Sequence, residues 1–434
     1  MTWNEYYHSR VVSAYDAIKN IRDGDKIVTS FGCGEPKGIV RAMCEHYEEF
    51  HDVQVNCMII LENTPWVEEK MKGHFSFNSF FASASNRDAL SSGAADYTPC
   101  FFHEIPATLR DVVKPRVTLV SVCPPDENGY VSLGPNVDYI ESTLSYCEVK
   151  IAQVNKNIPR AHGKAIKHVS DFDWFVEMDE PIPEVPNIPI TDVEKQIGRN
   201  CASLINDGDC IQLGIGGIPN AICHELKSKK NLGLHSEMVG DGVVELIRSG
   251  VINNSMKNTE HKGKCVLGFA FGTRKLFDFM DNNPDIEMHP IEYVNYPPVI
   301  AQNDNMVSVN SCLQVDLQGQ VVSDTIGLHQ FSGVGGQVDF VRGATMSKGG
   351  RSIIAMPSTA KGNTISRIVP TITENSAITT SRNDVQYIVT EYGIANLKGK
   401  TMKDRARELI KIAHPDFRES LCAVFEARFG EAAF

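Results

Sequence analysis

Short apolar, β-branched runs recur along the chain, among them Val117-Thr118-Leu119-Val120-Ser121-Val122, Cys265-Val266-Leu267-Gly268-Phe269, Ser352-Ile353-Ile354-Ala355-Met356 and Tyr387-Ile388-Val389-Thr390. They are apolar on both faces and alternate with segments of helical period. That pattern predicts α/β architecture, with mostly parallel sheets covered by helices. One helix is expected after Thr191, with Val193, Ile197, Cys201 and Leu204 on one stripe. Past Thr401, Leu409, Ile410 and Ile412, then Phe417, Leu421, Val424 and Phe425, predict two helices with a break at Pro415.

The chain also repeats itself. Ile21-Arg22-Asp23-Gly24-Asp25-Lys26-Ile27 answers Ile205-Asn206-Asp207-Gly208-Asp209-Cys210-Ile211. Each copy follows a capping box, Thr2-x-x-Glu5 or Thr191-x-x-Glu194, and precedes a glycine-rich turn with a proline, Gly32-Cys33-Gly34-Glu35-Pro36 or Gly214-Ile215-Gly216-Gly217-Ile218-Pro219. Helix, Asp-Gly turn, strand, glycine turn, helix is therefore the expected head of two similar open α/β domains, 1–180 and 191–434. They are joined by a proline-rich linker, 181–190, where alternating prolines favour extended geometry.

Composition narrows the function. The 434 residues are 42% hydrophobic and 22% charged, which suits folded globular domains. A net charge of -12 offers no basic field for nucleic acid. No run approaches the roughly 20 apolar residues that span a bilayer, and the first residues lack a signal-peptide pattern, so a cytoplasmic enzyme is expected. The twelve cysteines are scattered with no C-x-x-C pair and are expected to be reduced core thiols, with no metal.

Three segments carry candidate chemistry. The Gly214–Pro219 turn exposes backbone amides at a helix start, where they bind anions or stabilise an oxyanion; its glycines serve equally well for geometry alone. It departs from the G-x-G-x-x-G dinucleotide fingerprint, which disfavours nicotinamide. Glu237, in Leu234-His235-Ser236-Glu237-Met238-Val239 before a Gly-Asp-Gly turn, is expected at the carboxyl end of a strand, as a site acid or a solvated strand end. His235 reads as packing or as support for its neighbour. In Ser332-Gly333-Val334-Gly335-Gly336-Gln337-Val338-Asp339-Phe340, small residues allow close backbone approach to a ligand, and Gln337 and Asp339 are expected on one side of an extended continuation.

Together with Asn310-Ser311-Cys312-Leu313-Gln314-Val315-Asp316 and Val389-Thr390-Glu391-Tyr392-Gly393-Ile394-Ala395, these motifs resemble the acetyl-CoA hydrolase/transferase group of family I CoA transferases. Within the group they look most like the 4-hydroxybutyrate enzymes, with the butyryl-CoA:acetate enzymes close behind. The resemblance covers nearly the whole chain. It implies a NagB/RpiA/CoA-transferase-like fold with the active site between two domains, and homodimers or larger assemblies. Acyl-CoA and short-chain carboxylates are the implied substrates, with no prosthetic group.

By resemblance, Glu237 is the nucleophile and forms a glutamyl-CoA thioester, which requires it to be ionised, with neighbouring donors expected to offset its desolvation. The oxyanion donors are implied near Ile215 and at Gly335 or Gly336, and Asn295 beside the glutamate. CoA contacts are implied at Gly214, Ile215, Gly216, Gly217, Ile218, Asn310, Gly333, Gly336 and Gln337. Lys361 and the Lys398, Lys400 and Lys403 cluster are separate expectations for local positive charge. The acyl pocket is expected around 75–81 and 91–94. Alternatives to a transferase are an acyl-CoA hydrolase and a non-catalytic binder on the same fold.

Overall fold

The computed structural model describes residues 2–434. The chain forms two compact units: Met1–Pro186 with Val266–Val294, and Asn187–Cys265 with Asn295–Phe434. The division inside the proline-rich stretch thus falls between Pro186 and Asn187. Residues 266–294, which follow the Glu237 segment in sequence, belong to the first unit. A single linker does not describe that excursion.

The first unit holds a seven-stranded parallel sheet of β1 (Lys26–Thr29), β2 (Val53–Cys57), β3 (Phe75–Ser79), β4 (Asp96–Tyr97), β5 (Val117–Val122), β6 (Val149–Val154) and β7 (Trp174–Glu177), in the order β7-β6-β5-β1-β2-β3-β4. Every residue of β5 is buried, as a central strand covered on both faces requires. In the second unit β8 (Cys210–Gln212), β9 (Gly233–Val239), β10 (Met306–Ser311), β11 (Arg351–Ala355), β12 (Tyr387–Thr390) and β13 (Gly393–Asn396) run in the order β13-β12-β11-β10-β8-β9. All these neighbours are parallel except the hairpin β12–β13.

Both capping boxes form, at Thr2 and at Thr191. The helix Asp192–Ala202 buries Ile197 and Cys201, whereas Val193 is exposed and Leu204 lies past its end. The two C-terminal helices are Met402–Lys411 and Pro415–Phe429, with Pro415 at the first helical position, where its missing N–H has no helical partner to lose. Leu409, Ile410, Leu421 and Phe425 pack with Ile354 and Ile388 of the sheet, each burial worth roughly 1.5–3 kcal/mol. None of the twelve cysteines is in a disulfide, and among the described residues no helix is long and apolar enough to cross a membrane.

The internal repeat extends into tertiary contacts. Gly24 and Gly208 both take left-handed φ, +75° and +83°, at the turns that lead into β1 and β8. The aspartates that follow them are buried, and each meets an arginine at the head of another strand: Asp25 with Arg116 at 2.6 Å, Asp209 with Arg351 at 2.6 Å. The pair holds Arg351 at the head of β11.

Candidate active site

β8 and β9 are parallel, with Cys210 opposite Gly233 and Ile211 opposite Leu234. Continuing that register sets Leu213 beside Ser236 and Gly214 beside Glu237. The Ser236 hydroxyl donates to Leu213 O at 3.1 Å and accepts from Leu213 N at 3.4 Å, which locks the alignment. On the other side, β10 pairs Gln212 with Ser308, so Asn310 falls in the same row. Asn310, Gly214 and Glu237 thus lie side by side at the carboxyl ends of three adjacent parallel strands, where open α/β sheets build their sites. Asn310 Nδ2 donates to Gln212 Oε1 at 3.4 Å.

The turn after β8 ends in the helix Gly217–Glu225, capped by Gly216 at φ +111°. A methyl group added at Gly214 or Gly216 would meet nothing within 4 Å, and Ile215 is exposed. Gly217 differs: a Cβ there would lie 1.9 Å from Glu194 Oε1, so its bareness serves the capping box of the neighbouring helix. Ile218 points into the core.

The second glycine segment reaches Glu237 directly. A Cβ on Gly336 would fall 1.8 Å from Glu237 Oε2 and 2.3 Å from Asn295 Nδ2. Gly336 N–H hydrogen-bonds Glu237, and Asn295 Nδ2 donates to Glu237 Oε2 at 2.7 Å. Asn295 is fully buried, and its Oδ1 has no hydrogen-bond partner. Its segment lies close to the helix Gln337–Met346 because Gly343 leaves room for Ile300. Gly335, at φ +52°, bends the chain ahead of Gly336, and Gly333 is buried in the same turn.

Residues 337–346 are helical, not the extended continuation expected. Val338, Val341 and Ala344 recur at helical spacing and are buried, and the helix period prevails over the glycine-rich start. Gln337 and Asp339 therefore diverge. Gln337 turns to the end of β10, its Nε2 donating to Ser311 O at 2.6 Å and its Oε1 accepting from the Ser323 hydroxyl at 2.7 Å. Asp339 turns to Asn295, with Oδ2 3.4 Å from Nδ2. The apolar spacing from Val338 to Ala344 was the signal that would have placed Asp339 in the site.

The expectation that donors offset the desolvation of Glu237 is not met. Burial pushes its carboxyl up to about 8; the Asn295 amide lowers it, the Asp339 charge raises it, and Gly336 N–H lowers it, with burial prevailing. The residue as a whole retains intermediate exposure. His235, buried on the same strand, packs near Phe340 with ring centroids 6.2 Å apart.

Lys361 sits at φ +48° on the exposed turn of a small hairpin, Thr359–Ala360 with Ile365–Ser366. Lys400 and Lys403 pair with Glu408 and Glu431, and Lys398 donates to Asn383 O. Glu391, in the Val389–Ala395 motif, holds Ser358 at the foot of the Lys361 loop through bonds of 2.6 and 2.9 Å. In the first unit, a cavity of about 370 Å³ is lined by Glu68, Glu69 and Lys72 as well as by Phe75, Ser92 and Ala94, so its wall is charged in part.

Known proteins match along the whole chain. Residues 1–186 match the acetyl-CoA hydrolase/transferase N-terminal domain and 272–425 the corresponding C-terminal domain. The 4-hydroxybutyrate coenzyme A transferase of Clostridium kluyveri is 50% identical over 430 residues, 99% of this chain and 100% of that one. A solved 4-hydroxybutyrate CoA-transferase from Porphyromonas gingivalis is 42% identical with a TM-score of 0.86, covering 99% and 100% of the two chains. RipA from Yersinia pestis is 35% identical with a TM-score of 0.93, covering 99% of each. The chain belongs to the acetyl-CoA hydrolase/transferase family.

Proposed function

We propose that this chain is a CoA-transferase that exchanges CoA between a short acyl-CoA such as acetyl-CoA and a short carboxylate, 4-hydroxybutyrate foremost, with Glu237 as the covalent carrier. The observation that carries the reading is one carboxyl held between a backbone N–H, from Gly336, and the Asn295 amide, in a row with the open turn at Gly214. Ionised Glu237 attacks the thioester carbon. The C–S bond breaks and CoA leaves as thiolate, giving a mixed anhydride. The thiolate then adds to the Glu237 carboxyl carbon, and the first acid departs as its carboxylate. A second carboxylate reverses these steps.

Each addition passes through an oxyanion, for which the Gly336 N–H and the amides around Ile215 are the donors at hand; losing one such donor costs about 2.7–4 kcal/mol in acyl transfer. The exchange of one thioester for another needs no external energy source, and the covalent carrier divides a difficult transfer into easier ones. The substrate assignment is supported by the identity to the C. kluyveri enzyme and by the likeness to the P. gingivalis structure.

Incubation with acyl-CoA alone, followed by borohydride and peptide mass spectrometry, should find Glu237 modified. An active preparation with Glu237 intact removes it as the carrier. A panel of acetate, butyrate, 4-hydroxybutyrate and succinate as acceptors should rank 4-hydroxybutyrate first. Thiol release at full rate with no added acid would make the chain a hydrolase instead.

A further inference from the structure

The steps above leave Asp339 without a task. It is 1% exposed and stands in the first turn of the helix Gln337–Met346. Its Oδ2 is 3.4 Å from Asn295 Nδ2, and the same nitrogen is 2.7 Å from Glu237 Oε2. A single amide group therefore stands between two carboxyls. An acid in a first helical turn has an ordinary use in complementing the helix dipole, and that use asks nothing of Glu237.

We propose that Asp339 is a positioning residue for the covalent transfer: by setting a negative charge behind Asn295, it raises the free energy of ionised Glu237 relative to its uncharged acylated forms and so favours loading of Glu237 with CoA. This rests on Glu237 being the carrier. The charge balance gives the direction. Acyl-CoA and the Glu237 carboxylate become the glutamyl-CoA thioester and a free carboxylate: the acyl C–S bond and one glutamyl C–O bond break, a glutamyl C–S bond and an acyl C–O bond form, and the glutamyl oxygen leaves in the first acid. The negative charge that began beside Asp339 departs in that acid. Repulsion present only before the transfer favours the products of the transfer.

The titration of Glu237 agrees, since burial and the Asp339 charge both raise its pKa while Asn295 and Gly336 lower it. Among the surrounding elements, the 214–219 and 333–336 turns carry no titratable side chain. His235, on the same face of β9, packs near Phe340.

The test compares full-length wild type with Asp339→Asn at fixed ratios of acyl-CoA to free acid, reading the loaded fraction by intact-protein mass spectrometry and the acid limb of kcat/KM against pH. Both quantities weigh ionised Glu237 against a neutral form, so they must move together. The limb should fall by about half to one pH unit, and the ratio of loaded to free enzyme should fall about three- to tenfold. Asp339→Glu should return both towards wild type. Should Asp339→Asn fail to fold, Asp339→Ser asks the same question. A loss of kcat and Tm with the limb unmoved would overturn the proposal and leave Asp339 a structural acid. An active wild type that never loads at Glu237 would instead overturn the carrier assignment.

Discussion

The two units carry the same glycine-turn device and use it oppositely. In the first unit the turn Gly32–Gly34 is filled by the chain's own side chains: a Cβ on Gly32 would lie 2.3 Å from the Phe271 ring, and one on Gly34 would lie 2.7 Å from Asn136 Cβ. In the second unit the corresponding Gly214 and Gly216 face open space, Gly217 clears the Glu194 carboxyl, and Gly336, in a later turn, stands against the carboxyl of Glu237. Bare backbone is thus filled by packed side chains in one unit and, in the other, left open at Gly214 and set against a carboxyl at Gly336. What separates them is which side chains arrive from distant parts of the chain.

Gly336→Ala should show the largest effect. Its methyl would overlap the Glu237 carboxylate, and Glu237 or the Gly336 amide must move. A loss of about 100- to 1000-fold in kcat/KM is expected, of the size found when an oxyanion donor is removed. Activity within tenfold of wild type would mean that the carboxyl does not need its place against Gly336. Gly32→Ala should produce the converse. Forced overpacking against Phe271 at φ +56° costs about 2–4 kcal/mol, read as a drop in unfolding midpoint, while the activity of the folded fraction stays near wild type.

The α/β alternation, the parallel sheets, the repeat and the C-terminal helix pair were legible because each rests on local periodicity or capping chemistry. The Thr191–Glu194 box and Pro415 announce their helices within a few residues. The row of Asn310, Gly214 and Glu237 was only half legible. Each strand end could be recognised, but their registers come from pairing across nearly 100 residues. Asp339 was hidden by mistaking a helix for a strand. The filling of the first turn by Phe271 was beyond local reading, because that residue arrives from 239 positions away, through the excursion 266–294.

Glu237→Gln sharpens the electrostatic side of the contrast. With about 4.5 as its ordinary pKa and about 8 in the folded chain, Glu237 holds its proton on folding while the unfolded chain releases it. Native stability attributable to this group therefore falls as pH rises from 4.5 to 8. The uncharged amide escapes that fall. Activity should be lost, and the unfolding midpoint should exceed that of wild type by a few degrees at pH 9 and match it at pH 4. An equal midpoint at pH 9 would show that the charge is well solvated in the folded chain.

Gly214→Ala should have the smallest effect on the fold and is the most discriminating. Its Cβ would meet nothing within 4 Å, and Gly214 is not among the left-handed glycines, so neither crowding nor strain follows from the substitution. The unfolding midpoint should stay within about 1 °C, because surface changes away from packed features lie within about 0.5 kcal/mol. If acyl-CoA comes to lie against this turn beside Glu237, the added methyl intrudes on the ligand alone, and kcat/KM should fall about tenfold or more. Two unchanged readings would assign the bareness of Gly214 to backbone geometry, and the two turns would then differ in their neighbours without differing in use.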